Sequence, residues 1–383
     1  MNQKKMVLFG AGKIGRSFIG QLFSRSGYEV VFIDINQQLI ENLNKYRRYK
    51  IIIKHEDRNE VLDITNIRGI HINEKEKVAD ELANATIAAL SVGQQGLSTV
   101  IPLMANALIK RRKQFGECPL DIVIAENMRN SDQYLAAELK HYLPLDYPFE
   151  DLVGLVETSI GKMVPMMSQK DLDNDPLQVF AEPYNTLIVS KKGFKNPVPE
   201  IIGMEPKENI KAWVDRKLFI HNLGHATIAY LGFQKYPKAI YIYEVLEDAE
   251  ILDKTRKTMM QSADILRALY PGEFSSNQLE AHIDDLLCRF QNKALGDTIF
   301  RVGCDLYRKL SPEDRLVAPI NAAIRLNKPF NLIFDVLVAA MSFGATNEKG
   351  EKYKGDEKFS KELGKGKNYI LRNICKLILD FQG

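Results

Sequence analysis

MVLFGAGKIGRSFI (residues 6–19) reads as a short apolar strand, a glycine turn and the opening of a helix. A GxGxxG alone is a weak signal, but between a strand and a helix it has the context of a dinucleotide-binding turn. Gly10 permits the tight turn, Gly12 lets backbone N–H groups approach a pyrophosphate at the helix N-terminus, and Gly15 allows close helix–strand packing. Ala11, Lys13 and Ile14 complete the turn. A second apolar run, Glu29–Ile33, ends in Asp34, which lies 19 residues after Gly15. That is the spacing of a carboxylate that holds the adenosine ribose and repels a 2′-phosphate, so the expected cofactor is NAD rather than NADP.

Further apolar runs at Thr86–Leu90 and Asp121–Ala125, separated by amphipathic stretches, extend the βαβ pattern of a parallel sheet. Ser91, Val92 and Gly93 follow the third run and are expected at the carboxyl edge of the sheet, beside the cofactor. From Leu152 the pattern changes to short β-rich pieces, Leu152–Thr158, Leu177–Ala181 and Thr186–Val189, read as antiparallel extensions of the same sheet. Beyond the Gly/Pro/Lys-rich stretch 191–206, helical periodicity dominates, with helices expected at Glu244–Leu269, Ser276–Asn292, Asp297–Leu310 and Pro329–Met341 and breaks at Pro271, Pro312 and Pro319. The fold class is therefore an α/β Rossmann-type domain, mostly parallel with an antiparallel extension, over residues 1–205, followed by an all-α domain over 206–383. The segment 345–367, rich in charge and glycine, reads as an exposed loop with a frayed helix.

With 383 residues, 45% of them hydrophobic and 26% charged, the chain can bury two cores, and disorder is excluded. A net charge of +3 does not suggest a nucleic-acid partner, and the basic clusters at Arg47–Arg48 and Lys110–Lys113 read as solvated helix ends. No run approaches a membrane span. The opening residues lead straight into a strand with no export segment, so a cytoplasmic protein is expected. Cys118, Cys288, Cys304 and Cys375 lack metal-ligand spacing, so no metal is expected and the thiols are read as reduced.

A second dense cluster is KLFIHNLGH (residues 217–225), with Lys217, Asn222 and His225 at offsets 0, 5 and 8. On a regular α-helix these lie at about 0°, 140° and 80°, near enough to converge on one substrate oxygen. Oxidising an alcohol by hydride transfer needs a base for the hydroxyl proton and donors for the developing oxyanion. Lys217 suits the base, provided burial and neighbouring cations bring its pKa down, and Asn222 and His225 suit the donors. The same residues also fit an amphipathic helix with a surface lysine.

GAGKIGRSFIG, the Ala125–Glu126–Asn127 segment after a strand, and DRKLFIHNLGHATIAYLG together resemble the mannitol-1-phosphate 5-dehydrogenase family of the long-chain polyol dehydrogenases. Motifs at 174–177, 199–205, 289–292, 301–303 and 308–315 recur in the family's order, so the resemblance covers residues 5 to 343. It implies that Lys217 is the general base, that Asn222 and Asn127 stabilise the oxyanion, that His225 contacts substrate and that no metal is used. It further implies that Arg301 and Lys309 bind substrate oxygens or phosphate in a cleft between the domains. An ion-pair ladder from Arg301 through Asp305 is the plainer alternative. Two positions depart from the family: its Asp-Arg pair is Gly161–Lys162 here, which makes Lys162 a further candidate substrate cation, and an apolar helix position is His221. The expected activity interconverts D-mannitol 1-phosphate and D-fructose 6-phosphate with NAD. An unphosphorylated polyol or a hexuronate is the alternative substrate, and a non-catalytic NAD sensor is a third reading. The oligomeric state stays open.

Overall fold

In the computed structural model, which describes residues 4–377, the glycine turn leaves the end of β1 (Lys5–Phe9), a strand in the interior of an eight-stranded sheet. β2 (Glu29–Asp34) lies on one side of β1, and β6 (Ile87–Leu90) lies on the other, both parallel to it. The remaining strands are β3 (Tyr49–Lys54), β4 (Asn59–Ile64), β5 (Ile67–His71), β7 (Leu120–Ile124), β8 (Val153–Ser159), β9 (Val179–Ala181), β10 (Leu187–Ser190) and β11 (Met204–Lys207). The large sheet runs β11-β10-β8-β7-β6-β1-β2-β5. Its one antiparallel pairing is β8 with β10. Alternate residues of β1 serve opposite faces: Met6 and Leu8 join one buried layer with Phe18, Leu22 and Ile40, while Val7 and Phe9 join another with Val78, Val100 and Met104. A strand covered on both faces needs an unbroken apolar run, and MVLF supplies it.

Three expectations in this half are corrected. The piece 152–158 is not an antiparallel extension: as β8 it pairs in parallel with β7, and only its other side, against β10, is antiparallel. The piece 177–181 does not extend the large sheet: β9 pairs in parallel with β3, which forms an antiparallel hairpin with β4, giving a separate three-stranded sheet. That hairpin and β5 were not foreseen from the sequence. Nor is the basic cluster at residues 110–113 wholly solvated. Arg111 is buried and donates to the carbonyls of Ala83, Ala85, Cys118 and Pro119 at 2.7–3.0 Å, tying a helix end to two loops.

The chain divides into two units, Met1–Val214 and Asp215–Gly383. In the second, the described residues form helices and no strand, with one isolated bridge between Tyr241 and Thr298. Its central helix carries a π-helical turn at Lys217–Asn222, directly after the α-helical residues Ile210–Arg216, and continues as α-helix over Leu223–Lys235. It is apolar around most of its surface, so it is buried by its neighbours. The expected helix 244–269 is two, Ile242–Leu246 and Ala249–Leu269, because the Asp248 side chain accepts the N–H groups of Glu250 and Ile251 and starts a new helix. The expected helix 297–310 is likewise two, Ile299–Gly303 and Leu306–Lys309, broken at Asp305 with φ +72°. Pro319 breaks nothing: it sits in the first turn of helix Val317–Arg325, where a missing N–H costs no helical bond. The charged segment 345–367 is not simply exposed, since helix Lys354–Leu363 buries Asp356 and Phe359.

Candidate active site

In the first unit the glycines fit for steric reasons that can be read atom by atom. Gly10 has φ +94°, and a Cβ there would lie 2.1 Å from the Ser91 carbonyl oxygen. A Cβ on Gly15 would lie 2.0 Å from the Gly10 carbonyl oxygen, whereas one on Gly12 would meet nothing within 4 Å. Two glycines therefore serve packing, and the third leaves open space on the side from which a ligand would approach the backbone. Asp34 accepts hydrogen bonds from the Ala11 N–H through Oδ2 (2.7 Å) and from the Asn36 N–H through Oδ1 (2.9 Å). Behind the turn, the buried Arg16 donates to the carbonyls of Ala11 (2.7 Å) and Leu177 (2.5 Å).

The Ser91–Gly93 loop continues from β6. The Ser91 N–H donates to the Phe9 carbonyl, and the N–H groups of Val92 and Gly93 both donate to Glu126 Oε1 at 2.7 and 3.1 Å. Burial pushes the Glu126 carboxyl above its ordinary pKa, an effect that these two N–H groups oppose. Glu126 was not singled out by sequence; its only signal was its place at the end of β7 beside Asn127. Lys162 is buried, and its ammonium donates to the carbonyls of Glu182 (3.1 Å) and Tyr184 (2.7 Å) and to Asn185 Oδ1 (3.0 Å), with the Phe18 ring 5.3 Å away. Its donors are spent on the protein, so the structure gives it the part of an internal tie rather than of a cation open to substrate.

In the second unit the π turn changes the helical arithmetic. It accommodates about one extra residue, so positions beyond it are rotated back by about 100°. His225 moves from about 80° to about 20° from Lys217, placing the two on one stripe of the helix. Burial lowers the Lys217 pKa to about 8, helped by Arg315 and Arg308 and opposed by Asp314. His225 is also lowered, by burial first, although Asp297 works against the shift. Its Nε2 lies 3.3 Å from Asp297 Oδ2, close enough to pair but not aligned as a hydrogen bond, and its ring stacks on Phe290 with centroids 4.6 Å apart. Burial favours the protonated form of Asp297, but His225 and Arg301 outweigh it and hold the pKa below the ordinary value. His221 is buried edge-on to Phe290, and its pKa is held well below the ordinary value by that burial.

Arg301 is anchored, but to Asp297 one turn earlier and not to Asp305 as the ladder required. Asp305 instead pairs with Arg308, which also reaches Asp314 at 3.1 Å. Lys309 is buried, donates to the Val302 carbonyl at 2.6 Å, and has its pKa lowered to about 7 by burial and then by Arg315. Arg315, itself paired with Asp314 at 2.8 Å, thus acts on Lys217, His225 and Lys309 together. Sequence named Lys217, Asn222, His225, Arg301 and Lys309. It gave no role to Asp297, the partner of His225, or to Phe290, on which His225 rests. Among the described residues no His, Cys, Asp and Glu cluster is arranged to hold a metal, and no helix is long and apolar enough to cross a membrane.

Both halves match known families. Residues 4–203 match the model described as mannitol dehydrogenase Rossmann domain, and residues 209–379 match mannitol dehydrogenase C-terminal domain. Among solved structures, a substrate-free D-sorbitol dehydrogenase is 16% identical, with 92% of this chain and 84% of that chain covered and a TM-score of 0.77. The Pseudomonas fluorescens mannitol 2-dehydrogenase, solved as a ternary complex with NAD and D-mannitol, is 18% identical, with 92% and 81% covered and a TM-score of 0.72. At these identities the likeness to the two structures is one of fold. With both of its units matched by that family's own domain models, the chain belongs to the mannitol dehydrogenase family.

Proposed function

We propose that the protein is an NAD-dependent oxidoreductase of a secondary alcohol on a polyol chain and that it interconverts D-mannitol 1-phosphate and D-fructose 6-phosphate. The glycine turn suits a dinucleotide: Gly12 leaves the approach to the backbone open, and Asp34, fixed by Ala11 and Asn36, keeps acceptor capacity for ribose hydroxyls. Gly10–Gly15, Asp34 and Ser91–Gly93 would hold the cofactor, and Asp34 disfavours a 2′-phosphate by charge. When bound, NAD supplies the acceptor for the hydride that leaves the carbinol carbon.

The chain's own part is proton handling and orientation. Neutral Lys217 takes the substrate's hydroxyl proton on Nζ as the C–O bond becomes a carbonyl, and its ammonium returns that proton in the reverse direction. A pKa of about 8 leaves both forms accessible near neutrality. Asn222 donates to the developing oxyanion, and Asn127 is assigned as the second donor on the family resemblance. Asp297, 3.3 Å from His225 Nε2, is the carboxylate beside which the imidazole sits, and His225 is assigned to contact substrate on the family resemblance.

The observation that carries the phosphorylated substrate is the gathering of Arg308 and Arg315 on Asp314, at 3.1 and 2.8 Å, with the buried Lys309 next in the chain to Arg308. Cations that outnumber the carboxylates paired with them gain from a bound dianion. A free polyol or a hexuronate is the second reading, favoured by the pairing of Arg301 with Asp297 and of Arg308 with Asp305 and Asp314, which neutralises part of that charge. Measuring kcat/KM with NAD on mannitol 1-phosphate, mannitol, sorbitol and hexuronates separates them. The phosphate ester should exceed mannitol by orders of magnitude. Equal efficiency, or a preferred hexuronate, would select the second reading.

A further inference from the structure

The charged segment near the C-terminus reaches the turn that carries Arg308 and Lys309 through Asp356. Helix Lys354–Leu363 presents Asp356, 7% exposed, whose two carboxylate oxygens accept the N–H groups of Asp305 (3.0 Å) and Leu306 (2.7 Å). Those two residues open the four-residue helix Leu306–Lys309 that carries Arg308 and Lys309. Asp305 sits in the left-handed region at φ +72°, which Asp tolerates better than most residues with a Cβ and which the two Asp356 hydrogen bonds help to hold.

The same tail helix grips the turn a second time. Phe359 packs edge-on against Tyr307 with ring centroids 5.7 Å apart, and Lys358 lies 5.6 Å from the Tyr307 ring. Within the turn, the Lys309 N–H donates to the Asp305 carbonyl at 3.0 Å, and Lys309 Nζ reaches the Val302 carbonyl. The backbone path from Asp356 to Lys309 is therefore one hydrogen-bonded turn long.

We propose that Asp356 is a positioning residue for substrate binding: by pinning the Asp305–Leu306 amides it fixes the direction of Arg308 and Lys309 and so sets affinity for the anionic end of the substrate. This rests on the reading in which those cations receive the substrate's phosphate. Asp356 touches no reacting atom. Its loss releases two amides and lets Asp305 leave the left-handed region, which frees Arg308 from its hold on Asp305 and loosens the turn that carries Lys309, while the glycine turn is untouched and Lys217 loses only the smallest of the influences on its pKa, that of Arg308.

The test is steady-state reduction of D-fructose 6-phosphate by NADH with Asp356→Ala, Asp356→Asn, Lys309→Met and the double variant Asp356→Ala/Lys309→Met. NADH binding and amide exchange at residues 305 and 306 are followed alongside. Asp356→Ala should raise KM about tenfold or more, change kcat less than about threefold, leave NADH affinity unaltered and speed exchange at both amides. Asp356→Asn, which keeps one acceptor oxygen, should fall between Ala and the parent. Lys309→Met should also raise KM, and the double variant should lose less than the product of the singles, as expected of groups acting through one another. An unchanged KM in Asp356→Ala and Asp356→Asn, multiplicative losses, or a parallel fall of kcat and thermal stability would overturn the proposal. If Lys309→Met alone leaves KM unchanged while Asp356→Ala still frees the amides, the substrate reading has failed and takes the proposal with it. If Lys309→Met raises KM and the Asp356 variants do not, only the role of Asp356 has failed.

Discussion

Asp34 Oδ2 accepts the Ala11 N–H at 2.7 Å, which joins the end of the second strand to the middle of the glycine turn through a single carboxylate. The residue expected to choose between cofactors thus also shapes the loop expected to hold the pyrophosphate. The two roles separate on mutation only in part.

Asp34→Ser should therefore weaken NAD binding by about tenfold or more and narrow the preference over NADP, because both the ribose acceptor and the 2′-phosphate repulsion are removed. Titrations of the wild type and variant with both reduced cofactors would read this directly. Equal wild-type affinity for NADH and NADPH would refute the role.

In the proposed mechanism Lys217 governs the pH dependence. Its free-enzyme pKa lies near 8, below the ordinary lysine value, so its neutral form gains population as pH rises through that point. For oxidation, kcat/KM should climb with pH and level off above about 8; for reduction, which needs the ammonium, it should fall over the same range. Lys217→Ala should cut kcat by about 100-fold or more, abolish this limb of the profile and leave NADH binding intact.

Lys309, lowered to about 7, should respond to the charge of the ligand. At pH 8 most of it is neutral, and a bound dianion raises its pKa, so phosphate-ester binding should take up close to one proton. At pH 6 the lysine is already charged, and the uptake should shrink. Calorimetry in buffers of different ionisation enthalpy measures this number. No uptake at pH 8 would remove Lys309 from the anion site.

Gly15→Ala sets a new Cβ against the Gly10 carbonyl oxygen, a contact that backbone must move to relieve. We expect a loss of about 2–4 kcal/mol in stability together with weakened cofactor binding. Gly12→Ala, with nothing in reach of its Cβ, should fold normally and lose cofactor affinity alone. Thermal melts paired with NADH titrations distinguish the two.

What the sequence made legible was local. A strand, a glycine turn and a carboxylate at fixed spacing sufficed for the sheet around β1, and the residues of KLFIHNLGH sufficed to place Lys217 and His225 on one helix. The hairpin β3–β4 escaped because its turn, residues 55–58, carries no Gly, Pro or Asn, and because Tyr49–Lys54 is an apolar run flanked by charge rather than an alternating strand. Glu126, Asp297, Phe290 and Asp356 escaped for a different reason. Each meets its partner dozens of residues away, as Asp356 does Asp305 and Phe290 does His225. The π turn was invisible too, since a hydrophobic pattern counted at the α-helical period carries no mark of one extra residue.

That extra residue makes the alignment of Lys217 with His225 a matter of counting as well as of chemistry. Deleting one residue between them, with every functional side chain retained, would let the segment relax into an unbroken α-helix that still buries its apolar surface. Lys217 and His225 would then stand seven positions apart, about 700° of turn, and still lie within about 20° of each other, so a π turn and a shorter unbroken helix are two routes to one alignment. Aligning relatives by residue type alone, with no allowance for a one-residue gap in this helix, would pair the wrong positions.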